Sequence, residues 1–189
     1  MIMNWQDTIT AHQKVFDALR EHEDVVVRIG RGLLAAIERG NTIFVAGNGG
    51  SAADAQHFAA ELTGRFVRER KPLPGIALTT DTSALTAIAN DYGYAQVFAR
   101  QLDGLAQPGD VFVGISTSGN SPNVLTAVEL ARESGLVTYG LSGNDGGKLS
   151  TACDDCVVVP SSITAQIQEA HIFILHAWCI LIDEHADLF

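Results

Sequence analysis

Basic residues are scarce in this chain: 12 Lys and Arg stand against 22 Asp and Glu, giving a net charge of −10. Nucleic-acid binding needs basic surface to displace counterions from phosphates, so this balance argues against it. Long apolar runs are lacking as well. The longest, Ile172 to Ile182, holds His176 and is too short to span a bilayer, so no membrane partner is expected. The opening residues, MIMNWQDTIT, show no basic stretch followed by an apolar one, and a cytoplasmic location is the expectation. Cysteine is limited to Cys153, Cys156 and Cys179, an odd number that speaks against a disulfide framework. Cys153 and Cys156 have CxxC spacing. With no second CxxC, and with Cys156 opening the apolar run CVVVP, structural thiols are expected rather than a redox or zinc pair.

Apolar residues make up 47% of the 189 and charged ones 18%, an ordinary globular balance long enough for a substantial core. One domain is expected, with a helical extension over residues 1–40 and an α/β core over 41–189. In the extension, Val15, Phe16 and Leu19, then Val26, Val27, Ile29, Leu33, Leu34 and Ile37, recur at helical spacing. Glu21 to Asp24 marks the break between two helices. Gly30 and Gly32 weaken the second helix or allow close helix packing, as oligomer contacts would require.

From Asn41 onward, apolar runs alternate with helical patterns. The runs Thr42–Ala46, Gly75–Thr79, Val111–Ile115, Leu136–Leu141 and Cys156–Val159 read as strands. Helices are expected from Ser51 to Leu62, from Thr82 towards Asn90, and from Tyr94 to Leu105. Further ones are expected from Pro122 to Ser134, near Lys148, and from Thr164 to Glu184. Continuous apolar strands separated by helices predict a five-stranded parallel sheet covered on both faces. Ligands of such sheets sit beyond the carboxyl ends of the strands, near a switch point in strand order. Two loops rich in glycine and serine, 47–51 and 116–121, fall at such ends.

The second loop, Ser116-Thr117-Ser118-Gly119-Asn120-Ser121, runs from a strand into a helix. Ser121 suits the N-cap and Pro122 the first helical position. Hydroxyls, free backbone N–H groups and a helix N-terminus make an anion cradle, here without any Lys or Arg. The first loop, Gly47-Asn48-Gly49-Gly50-Ser51-Ala52, fits a loose dinucleotide fingerprint. Asp81, the candidate ribose acid, comes about thirty residues after it where about twenty are expected, so no nucleotide cofactor is predicted. Ser51 with Asp54 resembles a capping box.

His57 and Glu61 share one face of the helix after the first loop, as a metal half-site, an acid/base pair or a solvated face. On the last helix, Gln168 and His176 could look the same way, while His171 points elsewhere. A core histidine with a satisfied hydrogen bond is the commoner fate of such residues. Two imidazoles, a carboxylate and an amide oxygen could hold Zn²⁺, or move protons without it.

Four blocks, VAGNGGSAADAQHFAAELTGRF, AIANDYG, GISTSGNS and AQIQEAH, together resemble the phosphoheptose isomerases of the sugar isomerase (SIS) superfamily, in order and across residues 4–185. The resemblance implies a flavodoxin-like core with extra N-terminal helices, assembled as a homotetramer with active sites at subunit interfaces. It implies interconversion of D-sedoheptulose 7-phosphate and D-glycero-D-manno-heptose 7-phosphate, an early step towards bacterial surface heptoses. By motif, Ser116, Thr117, Ser118 and Ser121 would hold the phosphate. Asn48, Gly49, Gly50, Ser51, Asn90 and Asp91 would line the sugar, together with His57 and Gln168. Glu61 would be the base and His176 the acid, and His57, Glu61, Gln168 and His176 would be ligands to one zinc per subunit. Other relatives bind the bacterial replication initiator as adaptors and are expected to lack the full acid/base set, which this chain keeps. The segments Val67–Pro74 and Pro160–Ala165 carry no strong family pattern, so another phosphosugar is the remaining alternative.

Overall fold

The apolar runs become five strands: β1 (Ile43–Gly47), β2 (Gly75–Ala77), β3 (Val111–Ser116), β4 (Val137–Ser142) and β5 (Asp155–Val158). The structure, a computed structural model, describes residues 4–188. Strand order is β2-β1-β3-β4-β5 and every neighbouring pair is parallel, the flavodoxin-like order. The chain therefore leaves β1 towards one edge and returns to build the other. The switch point lies between β1 and β3, whose ends are in register at Gly47 and Ile115. Both glycine- and serine-rich loops open from this crevice.

Alternation along the strands sorts their side chains between two helical layers. Ile43, Val45, Val111, Val113, Ile115 and Leu141 pack on one face, under α1 (Trp5–Leu19), α2 (Glu23–Glu38), α3 (Gly50–Thr63) and α8 (Thr164–Glu184). Phe44, Ala46 and Phe112 pack on the other, under α5 (Ala99–Leu105), α6 (Pro122–Glu133) and α7 (Leu149–Ala152). The helix α4 (Thr82–Tyr92) starts at Asp81, whose carboxylate accepts from the Ala84 N–H at 2.9 Å.

The break between α1 and α2 is a single 3₁₀ turn, Arg20–His22. The helix expected from Tyr94 divides into a 3₁₀ turn, Tyr94–Gln96, and α5. β2 is shorter than expected and ends in a turn after Ala77. Gly30 and Gly32 serve packing inside the chain. A side chain at Gly30 would press on Trp178, and one at Gly32 would collide with the Tyr139 hydroxyl of β4. The capping box at Ser51 does not form. The N-cap is Gly49, which makes no side-chain cap bond, and Ser51 is buried within the first turn.

α8 is 21 residues long and, by length and composition alone, apolar enough to cross a membrane. The isolated run Ile172–Ile182 understated it. Ile167, Ala170, Ile174, Leu175, Trp178 and Ile182 of α8 all join the core beneath the sheet, and this accounts for its apolarity. The Trp178 indole N–H also donates to the Val26 carbonyl at 2.9 Å, fastening α8 to α2.

Candidate active site

β3 delivers Ser116 into the crevice, and the loop folds its hydroxyls together. Ser116 Oγ lies 2.9 Å from Ser121 Oγ and 3.5 Å from Ser118 Oγ. Ser121 is the N-cap of α6 with Pro122 next, as the sequence predicts, yet its hydroxyl makes no cap bond. It turns to Ser116 instead, which puts the hydroxyl cluster at the N-terminus of α6. That combination is an anion site made of dipoles.

The loop after β4 braces this cradle from outside. Asn144 donates to the Thr117 carbonyl at 3.0 Å, and the Lys148 N–H donates to the Asn120 side chain at 3.2 Å. Gly119 has φ +64 and faces the Gly146 carbonyl so closely that a Cβ would collide with it. A cavity of about 750 Å³ on this side is lined by Ser118, Asn120, Asn144, Asp145 and Pro160–Ser162. The segment Pro160–Ala165, without a strong family pattern, thus borders the serine-rich loop.

Across the switch point, Gly47 has no room for a Cβ beside Ser51 and the Ile115 carbonyl, and Gly49 takes φ +55. Asn48 is held in a reciprocal amide pair with Asn123, at 2.9 and 2.8 Å, and accepts from the Tyr94 hydroxyl at 3.0 Å. Sequence reasoning missed Asn123 and Tyr94. For Asn123 the available signal is an amide directly after the Pro122 helix start, next to the serine-rich loop; the sequence offers none for Tyr94.

α3 and α8 lie side by side, and here the predicted acid/base residues meet. His57 Nε2 is 2.8 Å from His176 Nε2 and 3.3 Å from Glu61 Oε1. The Phe66 ring backs His176 at 5.5 Å between centroids. The His57 and Glu61 side chains keep 42% and 22% of their surface exposed, so this cluster is open in a single chain. Gln168 sits at the other end of the helix pair, its amide filling the space a side chain at Gly50 would need. Asn90 and Asp91, on the last turn of α4, are exposed and bond to each other at 2.7 Å rather than to the cluster.

Two imidazole nitrogens and a carboxylate oxygen are donors that zinc takes readily. His57, Glu61 and His176 would hold it in place of the hydrogen that the two imidazoles share. Among the described residues no three His, Cys, Asp or Glu side chains are already set as a metal cage.

His171 is the core histidine. Fully buried, it bonds through Nε2 to the Ser142 carbonyl at 3.0 Å, and burial pulls its pKa down to about 4 despite that bond. Asp54, one turn before His57, has a buried carboxylate oxygen with no partner among the described residues. Burial pushes this carboxyl up to about 6, against the opposing pull of His57. Cys153 and Cys156 are free, and burial raises both thiols, Cys156 to about 12, which leaves them inert.

Comparison with known proteins agrees with this geometry. The family model for the SIS domain matches residues 5–143. Phosphoheptose isomerase 1 of Campylobacter jejuni is 53% identical over 180 residues, 95% of each chain. The solved phosphoheptose isomerase of Neisseria gonorrhoeae is 46% identical with a TM-score of 0.85, covering 96% of this chain and 100% of its own. That of Francisella tularensis is 36% identical with a TM-score of 0.88 at the same coverage. By the family model and by its identity to these relatives over nearly its whole length, this protein belongs to the SIS domain family, among the phosphoheptose isomerases.

Proposed function

We propose that the chain interconverts D-sedoheptulose 7-phosphate and D-glycero-D-manno-heptose 7-phosphate through an enediol. The observation that carries this reading is the Glu61–His57–His176 cluster, which α3 and α8 bring together. The serine cradle, with no cation of its own, binds the phosphate through hydroxyls and the α6 N-terminus. Ser116, Thr117, Ser118 and Ser121 serve there, and the open-chain sugar extends past Asn48, Gly49, Gly50 and Ser51 towards α3.

Isomerisation moves one proton between C1 and C2 and exchanges another between the two oxygens. Glu61 takes the C1 proton of the ketose while His176 gives a proton to O2, producing the enediol. Glu61 then returns a proton to C2 and His176 removes the one on O1, leaving the aldose. His57 holds His176 in one tautomer through the shared hydrogen.

Two imidazoles and a carboxylate support one zinc per subunit on His57, Glu61 and His176, and Gln168, about 12 Å from His176 along α8, would join them only from a neighbouring subunit. When bound, zinc would polarise the carbonyl and stabilise negative charge on oxygen. Ligation makes Glu61 a poorer base, so the two uses of that carboxylate compete. The open cluster and the exposed Asn90 and Asp91 support completion of the site by a neighbouring subunit in a homotetramer. The reaction is an early step of bacterial surface heptose synthesis, such as that serving lipopolysaccharide, in the cytoplasm. Purified protein supplied with sedoheptulose 7-phosphate tests the proposal. Formation of the aldose supports it, and its absence from folded protein with added Zn²⁺ rejects it.

A further inference from the structure

Arg70 lies in the basic segment after α3, outside every motif discussed so far, yet its side chain is only 2% exposed. Each nitrogen of its guanidinium has a partner. Nε donates to Asp183 Oδ1 at 3.0 Å, Nη2 to the Glu61 carbonyl at 2.7 Å and Nη1 to the Leu62 carbonyl at 3.0 Å. Nη1 also approaches the Lys71 and Gly64 carbonyls at 3.2 and 3.5 Å. The last carbonyls of a helix lack partners within it, and Arg70 supplies them at the end of α3. Asp183 stands on α8 with its side chain 6% exposed, and its other oxygen accepts from the Val67 and Arg68 N–H groups at 2.9 and 2.8 Å.

α3 carries His57 and Glu61, and α8 carries His176. Apolar packing, with the Phe58 and Trp178 rings 6.0 Å apart, presses these helices together, but it has no fixed direction, and the histidine bond is the directional tie at the cluster itself. The Arg70–Asp183 bridge is a second, seven residues further along α8, or about 10 Å at the helical rise. One end of it grips the backbone of Glu61 itself. We propose that Arg70 is a positioning residue for the isomerisation, fixing the last turn of α3, and so the Glu61 carboxylate, against His176. A lysine could not replace it, since one ammonium cannot span two carbonyls and a carboxylate in fixed directions. This inference rests on the roles given above to Glu61 and His176.

Removing Arg70 alone leaves Asp183 buried and unpaired, which risks unfolding. The test therefore uses Arg70→Lys, which keeps the charge, and the neutral double variant Arg70→Gln/Asp183→Asn. For each, thermal unfolding is measured beside steady-state turnover of sedoheptulose 7-phosphate. Both variants are expected to stay folded while kcat falls about tenfold or more, because small misplacement of a reacting group is enough. KM should change less than about threefold, since the phosphate cradle is built from other elements. A merely structural role predicts a kcat that follows stability and recovers in the double variant. Wild-type kcat in either folded variant overturns the inference. Failure of the wild-type protein itself to turn over would instead remove the underlying reading, and this inference with it, before any variant is compared.

Discussion

His57 and His176, 119 residues apart in sequence, face each other through their Nε2 atoms across 2.8 Å. At that distance one ring donates and the other accepts, so the pair holds a single hydrogen between them. The acceptor ring is left with a donor group on its far nitrogen, and Glu61 lies 3.3 Å from the same His57 nitrogen. A carboxylate and two imidazoles linked in this way can pass a proton along without a large movement.

The first prediction concerns these groups directly. Glu61→Gln and His176→Gln should fold and assemble normally, since neither side chain belongs to the core. Turnover should fall by about 10²- to 10⁴-fold, the range for loss of a positioned acid or base. Steady-state kinetics on folded variants checks this, and near-wild-type rates in either would take that residue out of the mechanism.

Ser121 separates binding from stability. A serine N-cap changed to alanine ordinarily costs about 1 kcal/mol, but this hydroxyl makes no cap bond. Ser121→Ala should therefore cost no cap, only its bond to Ser116 Oγ, about 0.5–1.5 kcal/mol, and lower the melting temperature by no more than that loss implies. Loss of a hydrogen bond to a charged phosphate is worth about 1.5–3 kcal/mol, so KM should rise by about tenfold or more. Ser118→Ala should act in the same direction. An unchanged KM for both would count against the cradle.

Acid should weaken the protein through His171. Its folded pKa of about 4 lies below the ordinary histidine value, because burial disfavours the imidazolium. The neutral ring's contribution is thus fully present above about pH 6.5 and is lost as pH falls through 4, amounting to about 3 kcal/mol at most. His171→Gln keeps a donor for the Ser142 carbonyl and removes the titration. Urea unfolding at pH 7 and pH 4.5 should show a smaller acid loss in the variant than in the wild type, and equal losses would refute the assignment.

Asp54 has the opposite sign. Its folded pKa of about 6 is raised by burial, so its contribution is full below about pH 4 and is lost as pH rises through 6. Asp54→Asn should stabilise the protein at pH 8 by about 1 kcal/mol, after discounting for solvent around a half-exposed group. At pH 4 the gain should vanish. A gain independent of pH would point to packing instead.

Much of the fold could be read before any coordinates. The five apolar runs, the two loops at strand ends and the Pro122 helix start all sit where the pattern puts them, because each is a local signal. Side-chain direction was harder to read. The pattern puts Ser121 at its cap, but sequence does not say whether a cap hydroxyl turns to its own helix or to Ser116 across the loop. His171 and His176 differ by about 140° around one helix, and the period alone does not say which faces the sheet. The Ser51–Asp54 pattern misled because Gly49, free to take φ +55, starts the helix two residues earlier. Arg70 was hidden by its neighbours. A run of charged residues between helix and strand reads as solvated surface, and only the tertiary contact with Asp183 reveals a buried clasp.

The most direct measurement of the central claim is an NMR time course of the purified protein with sedoheptulose 7-phosphate in D₂O, with and without added Zn²⁺. Enediol chemistry through Glu61 predicts new aldose signals whose C2 position carries deuterium. A folded protein that leaves the ketose unchanged under both conditions contradicts the account.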